Sequence, residues 1–183
     1  MKKFVLFMLG ILFLTGCSCN AELTNDTPTK KVEAFFSNYQ TLSSEVLSDL
    51  DNVIKNDGTM DDDQKSEYKD FMKKHYQDLE YEIKDEVIDG DKATVTTEIK
   101  VRNYSKVLKD SDAYLNEHKD EFNDEEGVYN PFLFTKYRIE ELKKITDKET
   151  YTLDLNLTKV NDDWKLDDLT DEQEQKINGT YQQ

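Results

Sequence analysis

From Leu79 to Val101 eight apolar side chains stand an even number of residues apart, two or four within each half of the stretch. The series is Leu79, Tyr81, Ile83 and Val87, then Ala93, Val95, Ile99 and Val101. A period of two builds a β-strand with one apolar face, and Asp89-Gly90-Asp91 interrupts it in the manner of a hairpin turn. All eight of these positions are odd-numbered. Directly paired residues of an antiparallel hairpin have a constant sum, so both rows share a face only when that sum is even. A two-residue turn at Asp89-Gly90 makes it odd and sends the rows to opposite faces, because a slip of one residue inverts every side chain. The expectation is an odd-length loop or a bulge, with Gly90 in the left-handed region.

A second hairpin has the other parity. Tyr151, Leu153, Leu155 and Leu157 alternate strictly, and Trp164 and Leu166 follow the Asn161-Asp162-Asp163 turn. One row is odd and the other even, so a two- or four-residue loop brings Leu157 opposite or close to Leu166.

Two one-sided hairpins need helices to cover them. Thr27-Pro28 starts the first, with Thr as N-cap and Pro in the first helical position. Apolar residues from Val32 to Ile54 then recur mostly at steps of three and four, as one long helix or two joined near Thr41–Ser44. Asn56-Asp57-Gly58 ends the run. Asp61-Asp62-Asp63 places negative charge where the dipole of a second helix favours it, and that helix carries Tyr68, Phe71, Met72, His75, Tyr76 and Leu79 on one face. Residues 104–122 and Pro131 to Ile145 predict two more helices, separated by an acidic loop at 123–130. Thr170-Asp171-Glu172-Gln173 is a capping box for a short last helix bearing Ile177 and Tyr181. The expected class is α+β, one domain over 28–183, in the order α-α-β-β-α-α-β-β-α.

The core is lean. Leu, Ile, Val and Phe number 36 in residues 17–183, about 22%, near the level at which a highly charged chain stays disordered. Ten Tyr and Trp164 move it to the folded side by the area each ring buries. The formal charge of −16 excludes nonspecific nucleic-acid binding and disfavours electrostatic adhesion to anionic lipid.

Lys2 and Lys3 precede an apolar run from Phe4 to Leu14. As a helix it rises about 16 Å, roughly half the hydrocarbon thickness of a bilayer, so it predicts a secretory signal rather than a membrane span. Leu14-Thr15-Gly16-Cys17 resembles the bacterial lipobox, whose cysteine receives a diacylglyceryl thioether before cleavage makes it the first residue. The resemblance implies a lipoprotein signal peptide at 1–16, lipidation of Cys17, a polar tether at 17–27 and a place on the extracytoplasmic face of a bacterial cell membrane. Loss of Lys2 and Lys3 with the signal takes the charge from −16 to −18. Two or three acyl chains, at about 0.8 kcal/mol per buried CH₂, anchor such a protein stably. Cys19 is then the only free thiol, no internal disulfide is available, and packing alone holds the domain. Without a neighbouring base, Cys19 is not expected to react.

The N-terminal amphipathic helix, Tyr81-Glu82-Ile83 leading to Ile88-Asp89-Gly90-Asp91-Lys92-Ala93-Thr94-Val95, and the closing Asn161-Asp162-Asp163-Trp164-Lys165-Leu166 carry a second resemblance. Together they look like small bacterial lipoproteins of the nuclear-transport-factor-two-like, cystatin-like class. The resemblance covers most of residues 29–168 and implies a strongly curved antiparallel sheet wrapped around helices as a cone. The stretch 104–145 is longer than the usual connection of that class. Isomerases, dehydratases and transport factors share the class, so it implies no single activity.

His75 and His118 are the only imidazoles, each on the apolar stripe of a predicted helix and without a ligand or dyad spacing beside it. Glu117-His118 has no second His four residues away, so there is no zinc helix motif. Taking Gly58, Gly90 or Gly127 as the sixth position of an EF-hand loop puts Val53 first, Val87 third or Phe122 first, which excludes that motif. The acidic runs Asp61-Asp62-Asp63, Asp124-Glu125-Glu126 and Asp167-Asp168 are read as caps and turns. No nucleophile elbow, phosphate loop or dinucleotide fingerprint occurs. Asn25, Asn103, Asn156 and Asn178 head N-x-S/T sequons, which matter only in a glycosylating secretion route.

An acid–base site inside a cone would draw on His75, Tyr76 and Tyr81. Helix and strand periodicity already accounts for all three, so no catalytic, cofactor-binding or metal-binding residue is assigned and no cofactor is expected. The expected function is a noncatalytic binding or interaction module held to the membrane through Cys17. Its expected partner is an envelope protein, a peptide or a small apolar ligand taken at the mouth of the cone, and not nucleic acid. An isomerase- or dehydratase-like enzyme and an acidic, cation-responsive envelope spacer are the alternatives.

Overall fold

The computed structural model describes residues 26–182. The expected signal segment and the expected tether up to residue 25, with Cys17, Cys19 and Asn25, lie outside the described residues. The described chain runs α1 (Pro28–Thr41), α2 (Ser44–Lys55), α3 (Asp62–Gln77), β1 (Glu80–Asp89), β2 (Lys92–Arg102), α4 (Ser105–Glu117), a short 3₁₀ turn (Lys119–Phe122), α5 (Pro131–Lys143), β3 (Lys148–Val160), β4 (Asp163–Leu166) and α6 (Asp171–Ile177).

The stripe from Val32 to Ile54 is the second of its two expected forms, two helices joined at Leu42–Ser43, so the element order gains a helix and three precede the first hairpin. The apolar stripe from Val32 to Ile54 is unbroken in sequence, but Leu42 takes a left-handed conformation, φ 55°, and its N–H closes on the carbonyls of Asn38 and Tyr39. Ser43 then caps α2, accepting from Val46 N at 3.4 Å. Thr27 caps α1 as expected, and Asp61 with Gln64, like Thr170 with Gln173, forms a reciprocal capping box.

The four strands form one antiparallel sheet in the order β1-β2-β3-β4. Gly90-Asp91 is the turn between β1 and β2, Asp89 pairing with Lys92. Positive φ falls only on Gly90, at 60°, the pattern of a type II′ turn. The loop is thus even in length, and Val87 stands opposite Thr94. A bulge between Ile83 and Asp85 absorbs one residue, after which Ile83 faces Thr97 and Tyr81 faces Ile99. The bulge restores the even sum for Tyr81 and Ile83 alone. Val87, expected in the inner row, is instead on the outer face and 59% exposed. In the second hairpin Asn161 and Asp162 both have positive φ, 53° and 65°, as a type I′ turn demands, and Leu157 pairs with Leu166.

One face of the sheet is the core. Val95, Thr97, Ile99, Leu153, Leu155 and Leu157 are each at most 1% exposed. Helix α1 packs across β1, β2 and β4 on this side, with Phe36 stacked on Tyr81 at 4.9 Å, and α6 closes over β2. A Leu→Ala change in this row costs about 2–5 kcal/mol. The other face is polar: Thr94 bonds Asn156 at 3.0 Å, Thr96 bonds Asp154 at 2.7 Å, and Lys84 reaches Glu82 at 2.6 Å. The sheet is consequently packed on one side and wet on the other.

The connection from β2 to β3 carries its own small cluster. Tyr114 and Tyr137 stack at 4.9 Å, and Phe122 meets Phe134 edge-on at 5.2 Å, which binds α4, the 3₁₀ turn and α5 together. Among the described residues, every side chain of the main core lies within residues 32–181. Among the described residues no helix is long and apolar enough to cross a membrane.

Candidate functional site

His75 sits near the C-terminal end of α3, 2% exposed, with ring Nε2 2.8 Å from the Ile177 carbonyl oxygen. A carbonyl only accepts, so Nε2 carries the proton and Nδ1 is an acceptor. Nδ1 has no partner. The rings of Tyr104 and Tyr76 stand 5.2 and 5.7 Å away. Burial pushes the imidazole down to about 4, outweighing the hydrogen bond to Ile177, and Arg102 and Lys148 add to the depression against Asp78. The ring is neutral at pH 7. With no carboxylate bonded to it and no exposed edge, it ties α3 to α6 and is not placed to exchange protons with a substrate.

Tyr76 is buried against Tyr39, ring centroids 4.9 Å apart, while Tyr81 stacks on Phe36 from the sheet. His75, Tyr76 and Tyr81 therefore serve separate packing contacts, and only His75 and Tyr76 are neighbours. His118, expected on an apolar stripe, ends α4 half in solvent, stacked on Tyr114 at 4.1 Å and bonded to Glu121 at 3.1 Å. The stripe of α4 turns away at His118 because the helix gives way there to the 3₁₀ turn.

Beside His75, at the end of the sheet away from its hairpin turns, four charges interlock. Arg102 Nε donates to Asp78 at 2.9 Å and its terminal nitrogen to the Ile145 carbonyl at 2.6 Å. Lys148 reaches Asp78 at 3.2 Å and Glu80 at 2.6 Å. Burial raises the Asp78 carboxyl, but the Arg102 and Lys148 hydrogen bonds and charges outweigh it and hold Asp78 below the ordinary carboxylate range. The network balances two cations with two anions and joins α3, β1, β2 and the start of β3.

The other arginine is buried. Arg138 of α5 is 9% exposed along its side chain, lies 4.4 Å over the Phe134 ring and pairs with Asp112 of α4. Its Nε is buried without a partner, and burial lowers its pKa against the pull of Asp112. Neither arginine was singled out from sequence, although a signal was present: the chain uses arginine twice against 22 lysines. A planar donor fork chosen so sparingly marks a buried or bidentate pair.

The acidic runs sit as caps and turns. Asp61 accepts from Gln64 N at 2.8 Å, Asp124 from Glu126 N at 3.0 Å and Val128 N at 2.9 Å, and Asp167 from the Thr158 hydroxyl at 2.7 Å. Among the described residues no three His, Cys, Asp or Glu side chains are grouped so as to hold a metal ion. Of the sequon asparagines, Asn103 accepts from Ser105 N at 3.0 Å and Asn156 belongs to the polar ladder of the outer face.

The helical connection exposes apolar surface. Val128, Tyr129, Phe132 and Leu133, at 58, 45, 38 and 40% exposure, fall within six residues of one another. The remaining large exposed apolar side chains, Val87, Ile88 and Val160, lie near the hairpin turns. No family model, curated protein or solved structure matches the chain.

Proposed function

We propose that this chain is a lipid-anchored extracytoplasmic protein of a bacterial envelope whose folded part is a noncatalytic interaction module. The observation that carries the reading is the order of features in its first 17 residues: Lys2-Lys3, the apolar run from Phe4 to Leu14, and Leu14-Thr15-Gly16-Cys17. Asp26, nine residues after Cys17, accepts from Trp164 N at 2.9 Å, so the folded part sits within about 30 Å of Cys17 along the chain. The cystatin-like cone remains part of this proposal, supported by a helix packed across one face of an antiparallel meander.

What supports a noncatalytic role is the use made of the candidate residues. His75 is a sealed tie between helices, Tyr76 and Tyr81 pack elsewhere, and the middle of the inner sheet face is filled by its own side chains. A partner is therefore expected on the outside of the molecule rather than within a cone.

Growth of a bacterial host with alkyne-tagged palmitate tests the anchor. Label is expected on the wild-type chain in the membrane fraction and absent from the Cys17→Ser variant. An unlabelled wild-type chain recovered as soluble protein would sink the reading.

A further inference from the structure

The apolar residues at 128–133 are held in place by an unusually complete set of backbone bonds. Asp124 N donates to Val128 O at 2.8 Å, Gly127 N to Asp124 O at 3.0 Å, and Asn130 N to Phe122 O at 2.7 Å. The Asp124 carboxylate takes the N–H groups of Glu126 and Val128, and Gly127 supplies the left-handed residue, φ 78°. Asn130 then caps α5, accepting from Phe132 N at 3.0 Å, and buried Gln64 of α3 donates to the Phe132 carbonyl at 2.7 Å. Val128, Tyr129, Phe132 and Leu133 are thus displayed on a fixed frame instead of being free to fold inward. Apolar groups grouped and exposed in this way mark a surface that another molecule covers, and a frame ordered in advance lowers the entropy lost when it does.

Charge selects the occupant. The loop that carries Val128 and Tyr129 also carries Glu125 and Glu126, and the Gln64–Phe132 bond brings the start of α3, with Asp62 and Asp63, up to the start of α5. All four carboxylates are exposed, and none makes an ion pair among the described residues. Residues 61–65 and 119–136 together carry eight carboxylates against three lysines. A second copy would set like charge against like, and an anionic lipid surface would be repelled in the same way.

We infer that residues 128–133 form a docking site for a cationic, amphipathic segment of a partner protein. Its apolar side chains cover Val128, Tyr129, Phe132 and Leu133, and its lysines or arginines face Asp62, Asp63, Glu125 and Glu126. The inference rests on the folded part being an interaction module and adds to it the surface and the chemistry of the partner.

The test uses residues 17–183 carrying Cys17→Ser and Cys19→Ser, which keeps every described residue and leaves no cysteine. A 14-residue leucine/lysine amphipathic peptide and its leucine/glutamate counterpart are each titrated while amide resonances are followed. The lysine peptide is expected to shift resonances of 122–134 and 61–64 first, and to lose affinity when salt is raised from 50 to 300 mM. The glutamate peptide is expected to leave those resonances in place. The Val128→Ser/Leu133→Ser variant, altered only at exposed positions and checked for an unchanged Tm, is expected to bind the lysine peptide about tenfold more weakly, or about 1.4 kcal/mol. Absence of binding, equal binding of both peptides, shifts spread over the acidic surface without a centre at 128–133, or concentration-dependent shifts there without peptide would each overturn the inference. Palmitate labelling of Cys17 is read separately, so a labelled chain with an inert 128–133 face rejects the docking site and keeps the anchor.

Discussion

Gly179 lies so close to Arg102 that a Cβ on it would stand 2.0 Å from the Arg102 carbonyl oxygen. The approach exists because Tyr104 N donates to the Gly179 carbonyl at 2.7 Å, clamping the turn after α6 onto the end of β2. Gly179 also holds φ at 68°, where any side chain is strained. The two demands fall on one residue and both exclude a β-carbon.

Gly179→Ala is therefore expected to cost about 2–5 kcal/mol, combining the left-handed penalty with overpacking against backbone that has no flexible end to yield. Urea unfolding of residues 17–183 carrying Cys17→Ser and Cys19→Ser measures it. A cost below about 1 kcal/mol would show that the clamp between α6 and β2 gives way easily.

Thr97 is the gap in the odd-numbered apolar row of β2. It is 0% exposed between Val95 and Ile99, and its hydroxyl has no partner. A buried hydroxyl left unpaired loses its hydration without compensation, so Thr97→Val is expected to stabilise the domain by about 1 kcal/mol. In a domain of this size that is a rise in Tm of about 2–4 °C. A fall in Tm would instead mean that the hydroxyl is paired.

The two faces of β1 give a third expectation, because the bulge after Ile83 divides the strand. Val87→Thr is expected to be neutral within about 0.5 kcal/mol, since its side chain stands on the wet face. Tyr81→Ala removes the stack on Phe36 and is expected to cost about 2–3 kcal/mol. Guanidinium unfolding of the two variants compares them directly, and equal costs would contradict the bulged register.

Parity made that bulge legible before the structure did, but not its place. Eight odd positions demand one irregular residue somewhere in the hairpin, and nothing in Lys84 distinguishes it from Asp89 or Asp91 as the residue to be absorbed. The helices were legible where capping chemistry marked them, as at Thr27-Pro28 and Thr170 to Gln173. A join near Thr41–Ser44 was legible as one of two forms, but the choice between them was not, because a leucine in the left-handed region carries no local signal and is held there by its bonds to Asn38 and Tyr39. The display of Val128 to Leu133 was not legible at all. Exposure of apolar residues depends on which helix fails to cover them, and the acidic run at 124–126 was readable only as a turn.

The fourth expectation concerns pH and His75. The imidazole titrates near 6.5 when exposed and is pushed down to about 4 in the fold, by burial first. Between these values the unfolded chain binds a proton that the folded chain refuses, so stability falls as pH is lowered through this window and the contribution is fully present only above it. From pH 7 to pH 5 the loss from this group is about 2 kcal/mol. Asp78, held below the ordinary carboxylate range, loses its contribution at lower pH and adds little above pH 5. His75→Gln keeps an N–H donor for the Ile177 carbonyl and removes the titrating ring. The difference in unfolding free energy between pH 7 and pH 5, measured by urea titration, is expected to be about 2 kcal/mol smaller in the variant than in the wild type. An identical difference in both proteins would mean that a proton reaches the unpartnered Nδ1 in the folded state, which requires α3 and α6 to open around it.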